Sequence, residues 1–156
     1  MNFESFEDIK VLMDNFDPAS LLPDLSSVVG IVEFVTRIAV LAGPIVLLVM
    51  GILYFFVSPK EANYHFGYRC FFGMGSEEAW RFTQRLAGLV WGALGLVLTI
   101  LMVIITGSFP GQPIMDTIST GVTCLIWEIV LAALSCLGIN VIVMLLYNAR
   151  GYRRKI

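Results

Sequence analysis

Charge is what this sequence has least of. Only 14% of its 156 residues are Asp, Glu, Lys or Arg, against about a quarter in soluble domains, so a water-exposed surface of ordinary extent cannot be built from it. Histidine occurs once, at His65, with no Cys or His at ligand spacing, which argues against a zinc site of three or four protein ligands. The three cysteines, Cys70, Cys124 and Cys136, form no C-x-x-C pair. The last two fall in an apolar run where thiols pack as small hydrophobes, so neither a disulfide nor a metal site is expected. The opening MNFESFEDIK has no basic stretch followed by an apolar one, and a cleavable secretory leader is not expected. Ser-His-Asp and paired-carboxylate patterns are missing too, and Gly73-Met74-Gly75 lacks the lysine and preceding strand of a phosphate-binding loop. The expectation is a protein that is not an enzyme, carries no cofactor and binds no nucleic acid directly.

Apolar residues are what remains, at 58% of the chain. They predict an all-α, polytopic membrane protein with three transmembrane helices, at about 28–57, 84–106 and 118–147, packed as one domain over 28–156. The uncharged stretch Ile38 to Val57 alone matches the ~20 residues needed to cross the hydrocarbon. It contains Gly43-Pro44, where proline removes a backbone donor. Residues 1–27 are acidic, and Phe3, Phe6, Ile9, Met13 and Phe16 recur at helical spacing, which predicts a short amphipathic helix that Asp17-Pro18 ends. The second helix is expected to start near Ser76, whose hydroxyl can cap it, with Glu77 and Glu78 where the helix dipole favours carboxylates. Gly107 to Pro113 reads as a turn.

Basic residues set the expected orientation. Lys60, Arg69, Arg81 and Arg85 belong to the interval between the first two spans. Arg150, Arg153, Arg154 and Lys155 follow the third, and the positive-inside rule places both groups in the cytoplasm. The amino-terminal segment would then be extracytoplasmic, in a bacterial cytoplasmic membrane. Counted outward from Val57 and Tyr147, Arg37 and Glu128 reach similar depths. An intramembrane Arg37–Glu128 ion pair is therefore expected, with Glu33–Arg37 at i, i+4 as the same-helix alternative. Gly88, Gly92 and Gly95 lie on one side of the second span at GxxxG-type spacing, which permits close helix packing inside the bundle or against a second copy. The basic tail also suits anionic lipid.

The interval from Pro59 to Gly88 carries the one specific pattern. Asn63, then Phe66-Gly67-Tyr68-Arg69, then Trp80, then Gln84-Arg85 ahead of Gly88, resembles the SdpI family of bacterial membrane proteins. Cys70 stands where that family usually has Thr, and Gln84 where it has Asn or His. The resemblance covers the core helices and implies immunity against a secreted antimicrobial peptide toxin, without catalysis, together with signalling through a cytosolic regulator. On that reading Asn63, Gly67, Arg69, Trp80, Gln84 and Arg85 are the partner-binding residues, and a peptide toxin and a cytosolic regulator are the implied partners; the residues themselves point to the lipid bilayer, a membrane partner protein and a second copy of the chain. From the residues alone, Gly67, Arg69 and Trp80 serve equally well to shape the loop and anchor the second helix. A small transporter or channel subunit, or an assembly subunit of a larger membrane complex, is the alternative.

Overall fold

A computed structural model describes residues 25–59, 61–62 and 65–154. The expected amphipathic helix at the amino terminus falls on residues outside that set, as do Lys60, Asn63 and Lys155. Three helices follow in order, α1 Leu25–Phe56, α2 Glu77–Gly107 and α3 Ile114–Leu146. Each is long and apolar enough to cross a membrane, with mean hydropathies of 2.5, 2.6 and 2.7. Only 22, 22 and 11% of their most apolar windows is buried inside the chain. Most of their apolar side chains therefore point outward, as a lipid-facing surface requires.

Local chemistry sets the helix limits. Pro59 disfavours helix at Ser58 and so stops α1. Ser76 caps α2, its Oγ accepting from Ala79 N at 3.1 Å, with Glu77 and Glu78 in the first turn. At the far end of α2, Ser108 N–H turns back to the carbonyls of Ile105 and Thr106, and Gly111, at φ +82°, completes the turn. The third helix starts at Ile114, four residues earlier than the hydropathy suggested. Pro113 is its N-cap, where no helical bond needs the N–H that proline lacks, and Asp116 in the first turn complements the helix dipole.

Glycines fix how α1 and α2 meet. A Cβ on Gly51 would strike the backbone of Gly92, one on Gly88 would lie 2.6 Å from Phe55 N, and one on Gly95 would strike Leu48 N. Each step along α2 is matched by an equal step back along α1, so the two run antiparallel with backbones in contact. The third helix runs parallel to α1. Gly121 sits against Thr36 and Glu128 against Gly43, seven residues further along each helix. One buried cluster, including Tyr54, Tyr68, Ala87, Ile139 and Tyr147, fills the end that carries the 57–76 loop. A second, of Val40, Leu98, Met102 and Cys124, lies nearer the α2–α3 turn.

The helix ends are staggered, and the stagger corrects one expectation. Phe55, beside the end of α1, lies opposite Gly88. Tyr147, just past α3, packs on Phe82 with ring centroids 5.5 Å apart. Six residues of α2 separate those levels, about 9 Å at 1.5 Å per residue. Counting back from Val57 and Tyr147 as if they were level puts Glu128 about that much too far from the loop end. Its carboxylate lies beside Gly43, six residues along α1 from Arg37, and no Arg37–Glu128 ion pair forms. Arg37 takes the same-helix alternative, Glu33 at 2.9 Å, and also donates to Thr106 O at 3.0 Å, closing the end of α2.

Candidate functional site

The 57–76 loop is held by three of the residues singled out in the sequence. Gln84, fully buried on α2, uses both ends of its amide on one residue of the loop: Oε1 accepts from Tyr68 N, and Nε2 donates to Tyr68 O, each at 2.7 Å. A primary amide offers donor and acceptor together, which is what the two backbone groups of a single residue require. Trp80, also fully buried, donates from Nε1 to Pro59 O at 2.8 Å and so fastens the start of the loop. Gly67 passes between them at φ +122°. A Cβ there would come within 2.6 Å of the Trp80 ring and 3.0 Å of Gln84 Oε1, so both the backbone angle and the space demand glycine.

Tyr68 carries the loop across to α3. Its hydroxyl lies 3.1 Å from Cys136 O and 3.1 Å from Asn140 Oδ1, and its ring meets Trp91 edge-on at 5.4 Å. Trp91 in turn touches Tyr54 and donates to Ser135 Oγ at 3.1 Å. One aromatic cluster thereby joins α1, α2, α3 and the loop. Burial, helped by the nearby Cys136 thiol, pushes the Tyr68 hydroxyl well above the ordinary tyrosine range, so it remains a donor. Nothing in the composition of the motif singled out Tyr68. The available signal was its place between the clamped glycine and the arginine.

The same clasp turns other residues outward. Arg69, next to Tyr68, is exposed and makes no hydrogen bond or ion pair among the described residues. It lines a groove of about 420 Å³ with Cys70, Phe71, Phe72, Asn140, Val141 and Met144. Phe71 is 74% exposed beside it. Arg85, exposed and likewise unpaired, belongs to different grooves. One, of about 220 Å³, lies against Phe55, Phe56, Ser58 and Pro59 at the end of α1. The other, of about 520 Å³, includes Glu77, Glu78, Tyr147 and Arg153. Arg81, which also borders both, is ion-paired with Glu77. The predicted set thus divides: Gly67, Trp80 and Gln84 touch one another and hold the loop, while Arg69 and Arg85 are presented at separate places.

The tail after α3 is a structured element that the sequence had offered only as a basic anchor. Asn148 Oδ1 accepts from Arg150 N and Tyr152 N, Arg154 N donates to Leu146 O, and Gly151 turns the chain at φ +76°. The resulting hairpin lies on the start of α2, where Ser76 Oγ donates to Gly151 O at 2.7 Å and Gly75 meets Gly151 backbone to backbone. The loop and the tail therefore share one end of the bundle. Tyr147 completes the junction, its hydroxyl 3.5 Å from Glu78 Oε1. Burial, then the Glu78 carboxylate, raise the pKa of that phenol.

Among the described residues no group of three or more His, Cys, Asp or Glu stands together to hold a metal ion. The architecture defines a class: a multi-pass, all-helical membrane protein whose first connecting loop is clasped to the second helix and displays Arg69, which has no hydrogen-bond or ion-pair partner among the described residues. A family assignment accompanies that class. The chain belongs to the SdpI/YfhL protein family, whose model matches residues 60–147, from the loop through the end of α3. No curated protein and no solved structure matched the chain. The matched region begins at the clasped loop and stops where the tail hairpin starts.

Proposed function

We propose that this chain is a membrane immunity protein, protecting a bacterial cytoplasmic membrane against a secreted antimicrobial peptide toxin by binding it, without catalysis. Membership of the SdpI/YfhL family over residues 60–147 carries this reading. In the proposed orientation the loop and tail face the cytoplasm, following the positive-inside rule, and the α2–α3 turn faces outward with the amino-terminal segment. The toxin meets the outer or lipid-facing surface. Arg69 and Phe71, displayed by the Gln84 clasp, are the contact offered to a cytosolic regulator, which links immunity to signalling. The experiment is survival of a sensitive bacterium expressing the chain, challenged with a panel of secreted membrane-active peptides that includes any made by the source cell. Protection is expected, and the Arg69→Ala variant at matched membrane levels is expected to lose the regulatory response. Absence of protection against every peptide overturns the reading. A small transporter or channel subunit is the second reading, and one observation favours it: Glu128 lies in a span with an unpaired carboxylate.

A further inference from the structure

Glu128 is buried, only 5% exposed, and its Oε1 has no hydrogen-bond partner among the described residues. Neither ion pair found among the described residues includes it. Its carboxyl group reaches across to α1 at Gly43, where a Cβ would come within 2.6 Å of Oε2, so the glycine is what makes room for it. Gly43 is 18 residues from the start of α1 and 13 from its end, about 27 and 20 Å at 1.5 Å per residue. That is well inside the span. The neighbouring Pro44 has no N–H, which leaves the carbonyl of Val40, one turn back, without its helical donor.

Among the described residues no cation pairs with this carboxylate. From α1 the nearest charged residue in sequence is Arg37, six positions away and engaged with Glu33 and Thr106. From α2 the buried cluster beside this level offers Leu98 and Met102, and on α3 the only other titratable side chain within a turn is Cys124. A charged carboxylate placed there would be unpaired and desolvated, a state that buried acids escape by taking up a proton. Once protonated, the group gains an O–H donor, and it lies beside Gly43, next to the proline that withholds a helical donor from α1.

We propose that Glu128 is a membrane-embedded proton-binding site, its protonated carboxyl bridging α3 to the segment of α1 opened by Gly43-Pro44. The ligand is the proton itself, and the packing of α3 on α1 depends on its being bound. This does not rest on the immunity reading.

Reaction with a hydrophobic carbodiimide tests it on the full chain in detergent or lipid. The acid proton passes to one carbodiimide nitrogen as the carboxyl oxygen bonds to the central carbon. The O-acylisourea then rearranges to an N-acylurea that retains the whole reagent, so no group leaves. The expected result is one adduct in the α3 peptide containing Glu128, absent from Glu128→Gln and slowing as pH is raised. Infrared spectra should show the carbonyl stretch of a protonated acid in the parent chain and lose it in the variant. Glu128→Gln, neutral and of similar shape, should leave the melting temperature unchanged, whereas Glu128→Ala should lower it. An infrared spectrum without the acid band at neutral pH overturns the proposal. So does labelling slowed by sodium ions at fixed pH, which would make the ligand an alkali cation.

Discussion

Gln84 commits its entire side chain to Tyr68, and that separates residues that build the loop from residues the loop displays. Gln84→Ala would strip two buried backbone groups of their partners, at about 1–3 kcal/mol each. Its melting temperature in detergent should fall well below that of the parent chain. Gly67→Ala should behave alike, because the added methyl meets Trp80 at a backbone angle that L-residues rarely adopt. Arg69→Ala, by contrast, removes an exposed side chain with no hydrogen bond or ion pair among the described residues, and the expected stability change is within about 0.5 kcal/mol. A melting temperature for Arg69→Ala as low as that of Gln84→Ala would place Arg69 in the scaffold. The motif itself was legible in the sequence, from Gly67 through Trp80 to Gln84. The division of labour within it was not, because it depends on which amide faces which backbone group.

At the scale of the helices, the glycine contacts are unequal, and the inequality can be tested. A methyl group on Gly51 would run into the Gly92 backbone, yet one on Gly92 would meet only Gly51 Cα at 4.0 Å. Gly51→Ala should therefore loosen the α1–α2 pair and lower the melting temperature by several degrees, whereas Gly92→Ala should be tolerated. Equal effects of the two would show that the helices are not in this register. Gly88, Gly92 and Gly95 were readable from spacing alone, but Gly51, their counterpart on α1, was not. Ser76 was readable as a cap because Ser followed by two Glu ahead of an apolar run has a local physical meaning. The failed Arg37–Glu128 pairing is instructive for the opposite reason. Hydropathy locates each helix separately, and nothing local records that α3 reaches past the end of α1 to the level of Phe82.

For the molecule as a whole, three spans place the loop and the tail on one side and the α2–α3 turn on the other, and the Ser76–Gly151 bond fixes the first of these relations directly. Single cysteines in a cysteine-free background can map the sides, using a membrane-impermeant thiol reagent on intact cells and on inverted vesicles. Phe71→Cys and Arg150→Cys are expected to label only in inverted vesicles, and Asp116→Cys only in intact cells. The reverse pattern would invert the topology without altering the fold, and a mixed pattern for the first two would contradict the docked tail. The three-span architecture was readable from composition and run length. The ordered hairpin was not, since its bonds run almost wholly through backbone groups and one Asn side chain.

That hairpin bears on how the protein is made. The first turn of α2 is covered by residues that emerge from the ribosome only after the whole of α3. During synthesis, then, Ser76 and its neighbours are exposed at the membrane surface while a further helix is still being inserted. The final fastening follows the synthesis of α3 and is made by the residues just behind it. A fusion partner joined close behind Arg154 would have to let this short segment fold back before the start of α2 could be sealed.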